Sequence, residues 1–270
     1  MTLRVRDLMH TGLLTCPPAA TLGQVAALLA QRRVHALLVA EAGQPPIGVI
    51  ADIDLLAGEW LSADAESLQA MQAMTARELM STPLVTIAAD ADVSEAIRRM
   101  HTERLHRLVV SDNAQAVGVI SVSDVVAHLG RAPLGRRTVA EVMSRGFVVC
   151  RAETPLAAAA RAMSERRSRS LVVVEASGRA LGVVTGYDLL PTLLENSTAR
   201  TVADLMHPPV TIHPEANLRE AVDMMVRHHL HRLVVVDAAE PHTMPLGLIS
   251  TSDIVAHMAA PNSVWQHLSS

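Results

Sequence analysis

Four aspartates, Asp54, Asp124, Asp188 and Asp253, each close a short motif at the end of an apolar run. The motifs read GVIADID, GVISVSD, GVVTGYD and GLISTSD, and in the last three a hydroxyl stands in an S/T-x-x-D arrangement: Ser121, Thr185 and Ser250. A carboxylate accepts hydrogen bonds from two donors at once, so each aspartate is suited to holding a pair of hydroxyl groups. A Ser or Thr where a strand hands over to a helix can, with nearby backbone N–H groups, meet an anion at the positive end of that helix. The same residues also make an ordinary helix N-cap, and the two uses are compatible. The first copy departs from the pattern: Ala51 replaces the hydroxyl and Asp52 adds a charge that repels anions. A weak, empty or altered site is expected there.

A second set of polar residues recurs ahead of the runs LLV (37–39), LVV (108–110), LVVV (171–174) and LVVV (233–236). These are the pairs His35-Ala36, His106-Arg107, Arg169-Ser170 and His231-Arg232. Arginine offers a planar fork that grips phosphate-like oxygens at two points, and histidine adds a donor with pH dependence. A cation at a helix end also complements the helix dipole, but that leaves the fixed placement unexplained. A third recurrent position holds Thr15, Thr86 and Thr211, with Val148 in the third copy. Threonine in a strand needs no function, given its propensity for strands.

Other chemistry has no visible apparatus. His228, His229 and His231 are close, and His101 precedes His106, but neither group has the helical spacing and carboxylate partner of HExxH. No metal site is predicted. GxSxG, P-loop and GxGxxG patterns do not occur, so an enzyme is not predicted either. Cys16 and Cys150 form neither a disulfide framework nor a zinc motif, and both sit in apolar runs that read as buried strands.

These residues need elements to position them. Half of the 270 residues are hydrophobic but only 1% are aromatic, which suits many small units packed through small aliphatic side chains. The net charge of -4 and the lack of a polybasic block argue against a nucleic-acid partner. No apolar stretch is long enough to span a membrane, and MTLRVRDLMH lacks a signal-peptide core, so a cytoplasmic location without membrane association is expected.

The aspartate motif is one marker of an internal repeat, and RDLM, RELM, AEVM and ADLM, ending at Met9, Met80, Met143 and Met206, are another. Between the markers, Thr21 with Gln24, Asp92 with Glu95, Thr154 with Pro155 and Asn217 with Glu220 predict helix starts. Apolar stripes follow at helical spacing: Leu22, Val25, Ala26, Leu29; Val93, Ala96, Ile97, Met100; Leu156, Ala159, Ala160, Met163; and Leu218, Ala221, Val222, Met225. Each unit therefore reads β-α-β-β-α, an α/β (α+β) class. The predicted repeats span 1–58, 75–130, 138–193 and 201–260. Each leaves an apolar face uncovered and needs a partner. The likeness of the second and fourth units suggests a duplicated pair, with modules 1–130 and 131–270 meeting near the Pro- and Gly-containing stretch 131–137. Segments 59–71 and 191–200 read as linkers.

The combination of xDLM, a capped helix, HRLVVVD and an aspartate motif, four times in register, resembles the CBS domain. Two such domains in tandem form a Bateman module, so the resemblance implies two modules, arranged in a flat disc as in four-repeat relatives such as the gamma subunit of AMP-activated protein kinase. It further implies regulatory binding of adenosine-containing ligands, AMP, ADP or ATP first and S-adenosylmethionine behind them, with no catalysis or cofactor. The aspartates Asp54, Asp124, Asp188 and Asp253 would then hold ribose, with Ser121, Thr185 and Ser250 on phosphate. His106, Arg107, Arg169, His231 and Arg232 would contact phosphates, and Thr86 and Thr211 would lie near adenine. Energy-state sensing read out by an unidentified regulated protein is the implied role. A ligand-free scaffold or oligomerisation module and a divalent-cation or transport regulator are the rivals. Whether the modules meet within one chain or in a homodimer is left open.

Overall fold

The structure is a computed structural model that describes residues 3–56, 73–129, 136–193, 199–237, 244–260 and 263. All of linker 59–71, residues 131–135 of the boundary stretch and residues 194–198 of the second linker lie outside the described residues.

Each repeat builds a small sheet on one plan. A short first strand pairs in parallel with a second, and the second pairs antiparallel with a third. The parallel step is bridged by a helix, as such a step requires. These helices are Leu22–Arg32, Val93–Thr102, Leu156–Glu165 and Leu218–His228. Every residue of the four apolar stripes is buried, which is why these segments are helical in spite of β-branched residues in three of them.

The predicted caps fared unevenly. Thr21 and Asn217 accept the backbone N–H of Gln24 and Glu220. Asp92 makes no such bond, because its carboxylate accepts from Arg4 Nη1 at 2.7 Å. In the third repeat the helix starts one residue later than expected. Pro155 is the N-cap rather than the first helical residue, and Thr154 Oγ1 accepts from Arg151 N–H instead.

The methionine marker has a physical basis. In each copy its acidic residue, Asp7, Glu78, Glu141 or Asp204, accepts the backbone N–H of the residue three places earlier and closes a single helical turn. At Glu78 the Thr75 hydroxyl, and at Glu141 and Asp204 backbone N–H groups, hold the carboxyl below its ordinary value.

These turns are exchanged between repeats. Val5 N–H donates to Ala91 of the second repeat, Ala76 N–H to Ala20 of the first, Val139 N–H to Ala216 of the fourth, and Val202 N–H to Thr154 of the third. The exchange brings the two sequence markers together. A Cβ added at Gly118 would collide with the His10 carbonyl oxygen and come 3.3 Å from Met9 Sδ. At Gly247 it would lie 2.7 Å from Ser144 O and 2.8 Å from Met143 Sδ. Glycine stands at this point of the third strand because a neighbouring backbone passes there.

Two compact units result: Met1–Leu13, Val85–Gly146 and Val210–Ser270 form one, and Leu14–Leu84 and Phe147–Pro209 form the other. The first has a core from the second and fourth repeats, including Ile97, Met100, Val222 and Met225. The second has a core from the first and third, including Leu29, Leu55, Met163 and Leu189. The order of repeats along the chain, with its halves 1–130 and 131–270, is thus followed by the exchanged turns, whereas each core joins repeats from different halves.

Candidate functional site

At all four aspartates the third strand turns directly into a helix. Asp124 Oδ2 accepts from Ser121 N–H at 2.8 Å and from Ser121 Oγ at 2.7 Å, while Ser121 Oγ accepts Asp124 N–H at 3.3 Å. Thr185 with Asp188 and Ser250 with Asp253 repeat this reciprocal box. Asp54 accepts from Ala51 N–H at 2.7 Å, and Ala51 has no hydroxyl to complete the box. The capping role is therefore real, and it engages one carboxylate oxygen. The hydroxyls expected on phosphate donate instead to their aspartates.

The second oxygen differs between copies. Asp124 Oδ1 lies 2.8 Å from His10 Nε2, and Asp188 Oδ1 lies 3.0 Å from His207 Nε2. Both histidines directly follow a marker methionine, and neither was singled out in the sequence. Asp253 is different: burial pushes its carboxyl above the ordinary value, against the opposing pull of Ser250 and the Arg232 charge.

The basic pairs come next. Arg107 is the cross-strand partner of Ser121, and Arg232 of Ser250. A guanidinium therefore starts the strand beside each of these two boxes. The equivalent partners in the other unit are small: Ala36 faces Ala51 and Ser170 faces Thr185. The Ser170 hydroxyl is buried without a hydrogen-bond partner among the described residues. The histidines join repeats: His106 Nδ1 lies 3.2 Å from Ser252 Oγ and His231 Nδ1 lies 3.0 Å from Ser123 Oγ. This reciprocal pair places the basic positions of the second and fourth repeats at one inter-repeat seam.

The matching seam of the other unit is filled by an ion cluster. Arg169 Nη2 donates to Asp52 Oδ1 at 2.6 Å, and His35 Nδ1 lies 2.8 Å from Asp52 Oδ2. Ile53 N–H also donates to Asp52 Oδ1, at 2.8 Å. The Asp52 residue is only 4% exposed. Tyr187 packs on the His35 ring with centroids 4.9 Å apart. Arg169, expected on phosphate, thus already meets a carboxylate, and Asp52 engages Arg169 and His35 of its own chain. Sequence spacing could not join residues so far apart.

Thr86 and Thr211 sit on the first strands, exposed, and the second strand separates them from Ser121 and Ser250. The structure does not bring them beside the boxes. Cys16 and Cys150 are free, and burial pushes both thiols up, Cys150 to about 11. No helix among the described residues is long and apolar enough to cross a membrane.

Four βαββα units, each with a capped carboxylate where its last strand becomes a helix, define a tandem α/β repeat protein. The chain belongs to the CBS domain family: comparison with protein-family models matches that domain at residues 5–58, 76–131, 139–195 and 202–260. The crystal structure of protein MJ1225 from Methanocaldococcus jannaschii is similar, with a TM-score of 0.83 over 95% of this chain and 100% of that one. At 22% identity this likeness shows the fold. The chain is 26% identical over 199 residues to the gamma-3 subunit of 5'-AMP-activated protein kinase from Sus scrofa, covering 64% of this chain and 37% of that protein. It is 25% identical over 193 residues to protein MJ1404 from M. jannaschii, covering 68% and 44%. The chain spans less than half the length of both these relatives.

Proposed function

We propose that the chain is a regulatory module that binds an adenine nucleotide of the AMP, ADP or ATP type, senses energy state, and has no catalysis of its own. The observation that carries this reading is the cross-strand placement of Arg107 beside the Ser121–Asp124 box and of Arg232 beside the Ser250–Asp253 box. An acceptor for two hydroxyls and a fork for phosphate stand side by side there, as a ribose phosphate requires. Both boxes, with His106 and His231, belong to one compact unit. Family membership and the likeness to a kinase gamma subunit support the same reading. The unit with the Asp52 cluster would bind anions less well, because its Arg169 is already paired.

Regulation requires that ligand favour one packing of the repeats over another, for a partner protein to read. Calorimetric titration of the full chain with AMP, ADP, ATP and S-adenosylmethionine tests the proposal. Binding of at least one adenine nucleotide below millimolar concentration is expected, with loss of affinity in Asp124→Ala and Asp253→Ala. If no nucleotide binds and none shifts the melting temperature, the reading fails in favour of a ligand-free scaffold.

A further inference from the structure

The residue after each marker methionine occupies one register in all four copies. His10 pairs with Val119, Ser81 with Val49, Ser144 with Leu248, and His207 with Val183. Each strand partner stands at the same place ahead of its aspartate, so the four positions correspond to Asp124, Asp54, Asp253 and Asp188 in turn. Two of the four are histidines, and both place Nε2 on the carboxylate oxygen left over by the capping box. The other two are serines. A mere structural tie does not account for this difference, because the strand is held by backbone pairing whichever residue stands there.

We propose that His10 and His207 determine which aspartates take ligand, by occupying the oxygen that a ribose diol would need at Asp124 and Asp188. The proposal rests on the nucleotide-binding reading above. Asp253, in whose register Ser144 stands instead of a histidine, lies beside Arg232 and is then the tight site. Asp124 has the same Ser and Arg but binds only when His10 is displaced. The His10 and His207 side chains are 81% and 70% exposed, so an imidazole can swing into water without unfolding anything. With the imidazole itself in water the competing contact is modest, about a two- to fivefold change in affinity.

The test is titration of the full-length chain with AMP, alongside 2'-deoxy-AMP. Wild type is expected to show a tight step and a weaker one. His10→Ser should strengthen the weaker step about two- to fivefold, and Ser144→His should weaken the tight step by a similar factor. With 2'-deoxy-AMP, which lacks one hydroxyl of the diol, both effects should shrink. Unchanged steps in both variants, or weaker AMP binding in His10→Ser, would overturn the proposal while leaving nucleotide binding intact. Absence of AMP binding by wild type and by both variants would overturn the nucleotide reading instead, and this proposal with it.

Discussion

Replacing Asp52 by asparagine, Arg169 by methionine, and both together measures the ion cluster between the first and third repeats. Asp52 is 4% exposed and accepts from Arg169 at 2.6 Å and from Ile53 N–H at 2.8 Å, with His35 Nδ1 at 2.8 Å. Removing one partner of a buried pair leaves an uncompensated charge, at a cost of about 3–5 kcal/mol. Arg169→Met leaves the enclosed carboxylate with Ile53 N–H and His35 and should cost about 3–4 kcal/mol. Asp52→Asn keeps the volume and an acceptor for Ile53 N–H. It strands Arg169, whose side chain is 23% exposed and can turn toward water. The expected loss is therefore smaller, about 2–3 kcal/mol. The double variant has no stranded charge, so its loss should fall short of the sum of the single losses by about 1–3 kcal/mol. Urea unfolding followed by circular dichroism provides the four free energies. Additivity to within about 0.5 kcal/mol would refute the argument that the two charges depend on each other.

Other outcomes follow from the same geometry. Burial raises the Asp253 carboxyl above its ordinary value of 3.8, so the folded state holds that proton more firmly than the unfolded chain. Its contribution is complete below that value and is lost as pH rises through the raised one. Asp253→Asn should thus gain in melting temperature on wild type as pH rises from about 4 to 7, while losing nucleotide affinity. A pH-independent difference would refute this. Ala51→Ser should complete the first repeat's capping box and stabilise by about 0.5–1 kcal/mol, read by urea unfolding, and a destabilised variant would show that the hydroxyl does not fit. Gly118→Ala meets the backbone oxygen of His10, whereas Gly48→Ala meets mainly the flexible Met80 side chain. The former should cost about 1–3 kcal/mol and the latter less, and equal costs would contradict the close backbone approach.

The repeat, its βαββα order and its buried helical stripes were legible in the chain, because they depend on neighbours within one turn of helix or one step of strand. Leu22, Val25, Ala26 and Leu29 are buried as their spacing predicts, and so are their counterparts. The S/T-x-x-D motif was legible as a cap for the same reason, since both of its ends lie on one helical turn. At Asp92 the local cap failed because a distant group intervened: Arg4 drew its carboxylate away from the helix. The sequence alone determined that methionine and glycine markers recur. Only the tertiary structure decided that each marker methionine packs against the glycine of another repeat, that His10 and His207 rest on Asp124 and Asp188, and that Arg169 meets Asp52. Contacts of that kind depend on which repeats share a core. That choice is made by burial of apolar faces, to which all four repeats bring nearly the same stripe, so the residue pattern within any one repeat does not specify its partner.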